Sequence, residues 1–166
     1  MKKIAFLAVL FVLAAGICFA ADPVEGYWIS IDEKSGKVTA GWQIYSEGGK
    51  LYGKILSLAD KPQNEKASKV KDSYSGFPVA GKVSDMTVVG TPWIYNLTMD
   101  KPGSWSKGVI IDPNDGKDYK CKITFHAADG KKYPKDTLEM RGEIGLGIGR
   151  SLYWQKSTQE QASGLR

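Results

Sequence analysis

His126 is the only histidine in this 166-residue chain, and its two cysteines are Cys18 and Cys121. That inventory removes most enzyme chemistries. A zinc site needs several imidazole or thiolate ligands, so neither a multi-histidine site nor a Cys/His cluster can be assembled. Cys121 and His126 lie five positions apart, so on one strand they face opposite sides and cannot form a nucleophile–base pair. No Gly-x-Ser-x-Gly elbow, phosphate-cradling Gly-Lys-Ser/Thr loop or dinucleotide-binding glycine turn occurs in a fitting context. Gly145, Gly147 and Gly149 form a glycine run between two strand-like segments, which reads as a hairpin or barrel bend. Carboxylates are plentiful, so a hydrolase built on two acids stays open. It would require both to face one cleft at about 5–10 Å. Asp112 and Asp115 flank the sequence Asp-Pro-Asn-Asp-Gly, where bonding to the local backbone is the expected role and a weak calcium loop the minor alternative. Asn96-Leu97-Thr98 fits the glycosylation acceptor pattern but falls inside a predicted strand. No cofactor is implied.

The segments that would position these residues are short, rich in β-branched and aromatic residues, and divided by Gly, Pro, Asn and Asp. Strands are predicted at residues 26–31, 38–45, 50–58, 93–99, 105–112, 117–126, 137–144 and 148–155, with a further weak one at 79–89. Glu47-Gly48-Gly49 marks a tight hairpin. Residues 60–76 are polar and read as a long excursion or flap, and residues 157–166 as a flexible C-terminal tail. About eight short strands with turn signals between them predict an all-β fold, a single antiparallel up-and-down barrel over residues 21–156.

Alternation within the strands assigns their faces. Tyr119, Cys121, Ile123 and Phe125 share an apolar face, with Lys120, Lys122, Thr124 and His126 opposite. Leu138, Met140 and Ile144 alternate with Thr137, Glu139, Arg141 and Glu143. In the last strand Arg150 shares the apolar face of Ile148, Leu152 and Trp154. Such an arginine is expected near a barrel end, stacked on an aromatic ring. Cys121 is expected to be a buried thiol, with an intermolecular disulfide the alternative.

Met1-Lys2-Lys3, the uncharged run from Ile4 to Ile17 and the small residues of Cys18-Phe19-Ala20 describe a cleavable signal peptide over residues 1–20. The run is too short to span a bilayer comfortably. The chain is therefore expected to be exported to the periplasm or beyond and not to span the membrane. Lipidation at Cys18 is disfavoured, because Ile17 stands where a small residue is needed. A net charge of +5 on the whole chain, with acids and bases interspersed, gives no argument for nucleic acid as a partner.

Several motifs carry a wider resemblance. They are Gly26-Tyr27-Trp28, the segment Gly49 to Ile55, Trp105 to Pro113, Gly116 to Cys121, Met140 to Gly145 and Gly149 to Trp154. In order and spacing the chain resembles the bacterial domain-of-unknown-function 2147 family of secreted proteins, which implies almost nothing about function. At fold level Gly26-x-Trp28 on a first strand with Arg150 on the last is similar to the lipocalin signature. That resemblance implies that Trp28 and Arg150 close one end of the barrel, and that the interior carries a small apolar molecule.

The expected function is non-catalytic binding of a small hydrophobic or amphiphilic ligand, such as a lipid, inside the barrel. Trp42, Ile44, Tyr119, Ile123, Phe125, Leu138 and Met140 are the candidate cavity residues by alternation, with core packing as their other role. The alternative is a filled barrel whose 60–76 excursion binds an envelope protein or glycan.

Overall fold

The computed structural model describes residues 21–166. The expected signal peptide, residues 1–20, lies outside the described residues. Eight strands form: β1 (Gly26–Ile31), β2 (Val38–Glu47), β3 (Lys50–Leu58), β4 (Pro92–Lys101), β5 (Ser104–Ile111), β6 (Asp118–His126), β7 (Thr137–Gly145) and β8 (Ile148–Ser157). Each pairs antiparallel with the next, and β1 pairs with β8 through Tyr27↔Ser157, Trp28↔Lys156 and Ile29↔Gln155, closing the barrel. Closure leaves no free strand edge to template pairing with another chain.

The antiparallel order gives the barrel two distinct ends. The β2–β3, β4–β5 and β6–β7 connections, the start of β1 and the end of β8 gather at one end. The β1–β2, β3–β4, β5–β6 and β7–β8 connections gather at the other. The first end is packed shut. Trp28, Ile44, Leu51, Leu97, Ile123 and Leu138 are fully buried there. Trp28 Nε1 donates to Val24 O at 2.9 Å, and Phe125 meets the Trp28 ring edge-on with centroids 6.3 Å apart.

The cation that covers Trp28 is Lys156, not Arg150. Lys156 Nζ sits 4.4 Å from the ring centroid and donates to Glu25 O at 2.8 Å. Partial burial pulls its ammonium below the ordinary lysine value. Arg150 shares the inward parity of Lys156 but lies six residues earlier on β8, at the opposite end of the barrel, where it donates to Glu33 at 2.9 Å with 61% of its side chain exposed. Parity gave the correct side of the wall and the wrong end. Lys156→Ala should therefore cost about 1–2 kcal/mol through the lost cation–π contact and stem packing. Arg150→Ala should cost less than about 1 kcal/mol, as an exposed pair does. Matched melting curves check this, and a larger loss for Arg150→Ala would contradict the assignment.

Two segments depart from the sequence expectations. The excursion between β3 and β4 is not a loose flap but a second, outer layer. Trp93 and Tyr95 lie on β4 beneath it, and Phe77 packs on both, with centroids 6.5 and 5.4 Å away. Ala67, Val70, Val83 and Val88 are buried with them. Tyr74 donates to Gly116 O at 2.7 Å, and Lys71 pairs with Asp118 at 2.8 Å. Residues 79–89 form no strand; they hold a 3-10 turn at Val83–Asp85 and one isolated bridge, Lys66↔Thr87. The C-terminal residues are not a flexible tail either. They finish β8 and form a short helix, α1 (Gln159–Ser163), capped by Thr158. Ala162 is fully buried and its carbonyl accepts from Ser57 Oγ at 2.7 Å. A Cβ at Gly41 would fall on that same carbonyl, so the helix docks only because β2 carries a glycine there. Among the described residues no helix is long and apolar enough to cross a membrane.

Candidate functional site

The open end of the barrel holds a cavity of about 860 Å³, within the range of small-molecule sites. Its floor is the Trp42–Trp154 pair, stacked with centroids 4.6 Å apart and planes 25° from parallel. Trp42 Nε1 donates to Ser30 Oγ at 3.2 Å, which in turn meets Thr39 Oγ1 at 2.7 Å and donates to Ala40 O. Trp154 Nε1 is buried and meets no acceptor from the protein among the described residues. Ile55, Leu58, Ile110, Ile111 and Leu152 form apolar walls. Asp32, Glu33, Asp60, Glu65 and Asp112 stand around the mouth with Lys37, Lys61 and Arg150. Several of these charges are already engaged. Asp32 is held below the usual carboxylate value by its bonds from the Ser35 side chain and backbone, and Arg150 ties β8 to the β1–β2 connection through Glu33.

The cavity gathers only part of the expected set. Trp42 and Tyr119 line it. Ile44, Ile123, Leu138 and Met140 point inward as expected, but they are buried in the packed half of the barrel below the tryptophan floor. Phe125 packs on Trp28 at the closed end. The four aliphatic residues and Phe125 therefore fill core and do not line the cavity. Alternation identifies the inner face and is silent about height along the axis.

Residue types that suggest catalysis are wired for structure. His126 Nε2 lies 2.8 Å from Glu139 Oε2, and Ser151 Oγ donates to Glu139 Oε1 at 2.6 Å. The cluster contains a serine, a histidine and an acid, but the serine is bonded to the acid and not to the imidazole. The imidazole is therefore not placed to take the serine proton as it would be in a Ser-His-acid triad. The group sits on the outer wall, where Tyr133 stacks on His126 at 4.4 Å. Burial works against the charge on Glu139, yet the bonds from Ser151 and His126 outweigh it and hold the carboxyl below its usual value. A folded-state value below the unfolded one means stability that is present above the ordinary glutamate value and lost as pH falls. Glu139→Gln should therefore lower the melting temperature at neutral pH by an amount corresponding to less than about 1 kcal/mol. The difference from wild type should shrink as the pH is taken down through about 4. A difference that does not change with pH would contradict the role of the charge.

Asp112 and Asp115 take the turn roles expected of them. Asp112 Oδ1 accepts from Asn114 N at 2.8 Å, and Asp115 Oδ1 accepts from Lys117 N at 3.0 Å. Cys121 is buried and free, and burial pushes its thiol pKa up, which makes it inert. Among the described residues no group of three or more His, Cys, Asp or Glu side chains is placed to hold a metal ion.

With this geometry established, comparison with known proteins decides the family. The family described as an uncharacterized protein conserved in bacteria (DUF2147) matches residues 26–156, the span from the first residue of β1 almost to the end of β8. The chain belongs to that family. A solved structure described as "Protein HP1028 from the human pathogen Helicobacter pylori belongs to the lipocalin family" superposes with a TM-score of 0.64 at 16% sequence identity. The match covers 84% of this chain and 86% of that one. At such low identity the likeness concerns the fold, and a lipocalin-like barrel agrees with the topology above. No curated protein sequence matches this DUF2147 chain.

Proposed function

We infer that this DUF2147 protein is an exported, non-catalytic carrier that holds one small hydrophobic or amphiphilic molecule in the open half of its barrel. The supporting observation is the cavity itself. About 860 Å³ of space stands over an aromatic floor, with aliphatic walls and a polar mouth. Burying an apolar ligand there gains roughly 25 cal/mol per Å² removed from water. The charged rim keeps a polar head in water while the tail lies on the two indoles. Both signs of charge are present around the mouth, with five carboxylates against three cations. That balance favours a neutral or zwitterionic head over a strongly anionic one. Eight-stranded barrels either fill with side chains or hold one small ligand. This one is filled only in its closed half, which weighs against a wholly filled interaction module.

The test is a titration of the protein, first stripped of lipid in organic solvent and refolded, with a fluorescent naphthylamine excited by energy transfer from Trp42 and Trp154. Saturation at one probe per chain, reversed by monoacylglycerols or isoprenoid alcohols, is expected. No transfer at any probe concentration would contradict the reading.

A further inference from the structure

Among the described residues the tip of the β7–β8 hairpin is the most exposed apolar feature. Leu146 is 101% exposed, Ile144 72% and Ile148 63%. From Ile144 to Gly149 the sequence is Ile-Gly-Leu-Gly-Ile-Gly, six residues without a charge or a hydrogen-bonding side chain. Gly145 and Ile148 form the last strand pair. The two-residue turn is Leu146-Gly147, with φ of 50° and 75°. A turn of this kind needs positive φ at both positions and normally takes Asn or Gly first. A leucine is therefore held in a strained conformation with its whole side chain in water. The base of the hairpin is braced: Arg141 donates from Nη2 to Gly147 O at 2.9 Å and from Nε to Glu143 at 2.6 Å. The wedge is convex and apolar, and Ile144 and Ile148 also line the mouth of the cavity.

We propose that this tip inserts into the surface of a zwitterionic lipid bilayer and sets the cavity mouth against it. The dimensions of the tip favour a bilayer over a protein. Three aliphatic side chains present an area on the order of 400 Å². Each partner of a stable protein complex contributes about 800 Å². A bilayer needs no complementary surface; an apolar wedge buried about 5–10 Å at the boundary of headgroups and chains is sufficient. The charge around the tip selects the lipid. Arg141 and Arg150 flank it, but each is paired with an acid, and carboxylates outnumber cations at the mouth. Attraction to anionic headgroups is therefore weak, and insertion is driven by burial of the three side chains. Docking of the tip does not depend on the cavity being occupied.

The experiment is co-sedimentation of residues 21–166, which comprise the whole folded barrel, with phosphatidylcholine vesicles at low and high salt. A polarity-sensitive fluorophore on Leu146→Cys reports the environment of the tip; Cys121 is buried and does not compete for the label. Wild type is expected to partition with little salt dependence, and the fluorophore to shift to the blue when vesicles are added. Leu146→Asp is expected to lose at least tenfold in partition. Leu146→Asn, which suits the turn and should melt no lower than wild type, is expected to lose a similar amount. Gly142→Phe, placed inside the cavity, is expected to partition like wild type, so that loss of ligand binding and loss of docking are told apart. The proposal is overturned if wild type stays in the supernatant, if Leu146→Asp partitions as wild type does, or if the tip instead drives concentration-dependent self-association that Leu146→Asn abolishes.

Discussion

Replacing Trp28 by alanine is expected to lower stability by about 3–5 kcal/mol, the range for deleting a buried large aromatic side chain. For a domain of this size that corresponds to a fall in melting temperature of roughly 10 °C or more. The size follows from how many groups share that one ring. It is fully buried and holds the Val24 carbonyl through its indole N–H. Phe125 packs on it from β6 and Lys156 covers it from β8. Removing it opens a cavity in the closed end, orphans a carbonyl and strips the packing from the lysine stem. Trp28→Phe restores the ring but not the N–H, and is expected to recover more than half of the loss. Thermal unfolding of the three proteins checks both statements. A fall below about 1 kcal/mol for Trp28→Ala would mean that the closed end is not what holds the barrel shut.

Gly142→Phe is expected to abolish ligand binding, by at least a hundredfold, while leaving the melting temperature unchanged or raised. Gly142 lies on β7 with its missing side chain directed into the cavity, and its backbone is in the ordinary extended range. A Cβ there would meet Tyr119 Cβ at 3.4 Å and Ile110 Cγ2 at 3.8 Å, both ordinary contacts. The ring beyond it grows into the space a ligand tail would take. Aromatic residues also suit a strand better than glycine does. The probe titration described above reads the affinity, and a melting curve confirms the fold. Undiminished binding in a folded Gly142→Phe protein would place the ligand outside the cavity.

How much of this was legible in the chain differs from residue to residue. The eight strands could be read because turn residues punctuate the sequence, and inward faces could be read where side chains alternate, as on β6 and β7, while register shifts break the alternation elsewhere. Trp42 and Tyr119 were found that way. Ile44, Ile123, Phe125, Leu138 and Met140 were placed on the correct face but at the wrong height, since alternation has no axial coordinate. A signal for height was present. In an up-and-down barrel successive connections alternate between the two ends, so residues near the 126–137 connection share the closed end, and those near the 111–118 and 145–148 connections share the mouth. That count separates Phe125 and Leu138 from Tyr119 and Gly142, and Lys156 from Arg150. The outer layer over Trp93 and Tyr95 was hidden for a different reason. Its residues are mostly polar, and the few apolar ones, such as Ala67, Val70 and Val83, have no period to reveal them. The docking of α1 was hidden as well, because it depends on a glycine on β2 and a carbonyl more than a hundred residues later.

The open half of this barrel is proposed to hold one apolar or amphiphilic molecule. Native mass spectrometry of the protein purified under mild conditions, followed by organic extraction of whatever travels with it, tests that most directly. A one-to-one adduct released as a lipid or small apolar compound is expected, and is expected to be absent from Gly142→Phe purified in parallel. A bare wild-type mass that stays bare after incubation with fatty acids, monoacylglycerols and isoprenoids would contradict it.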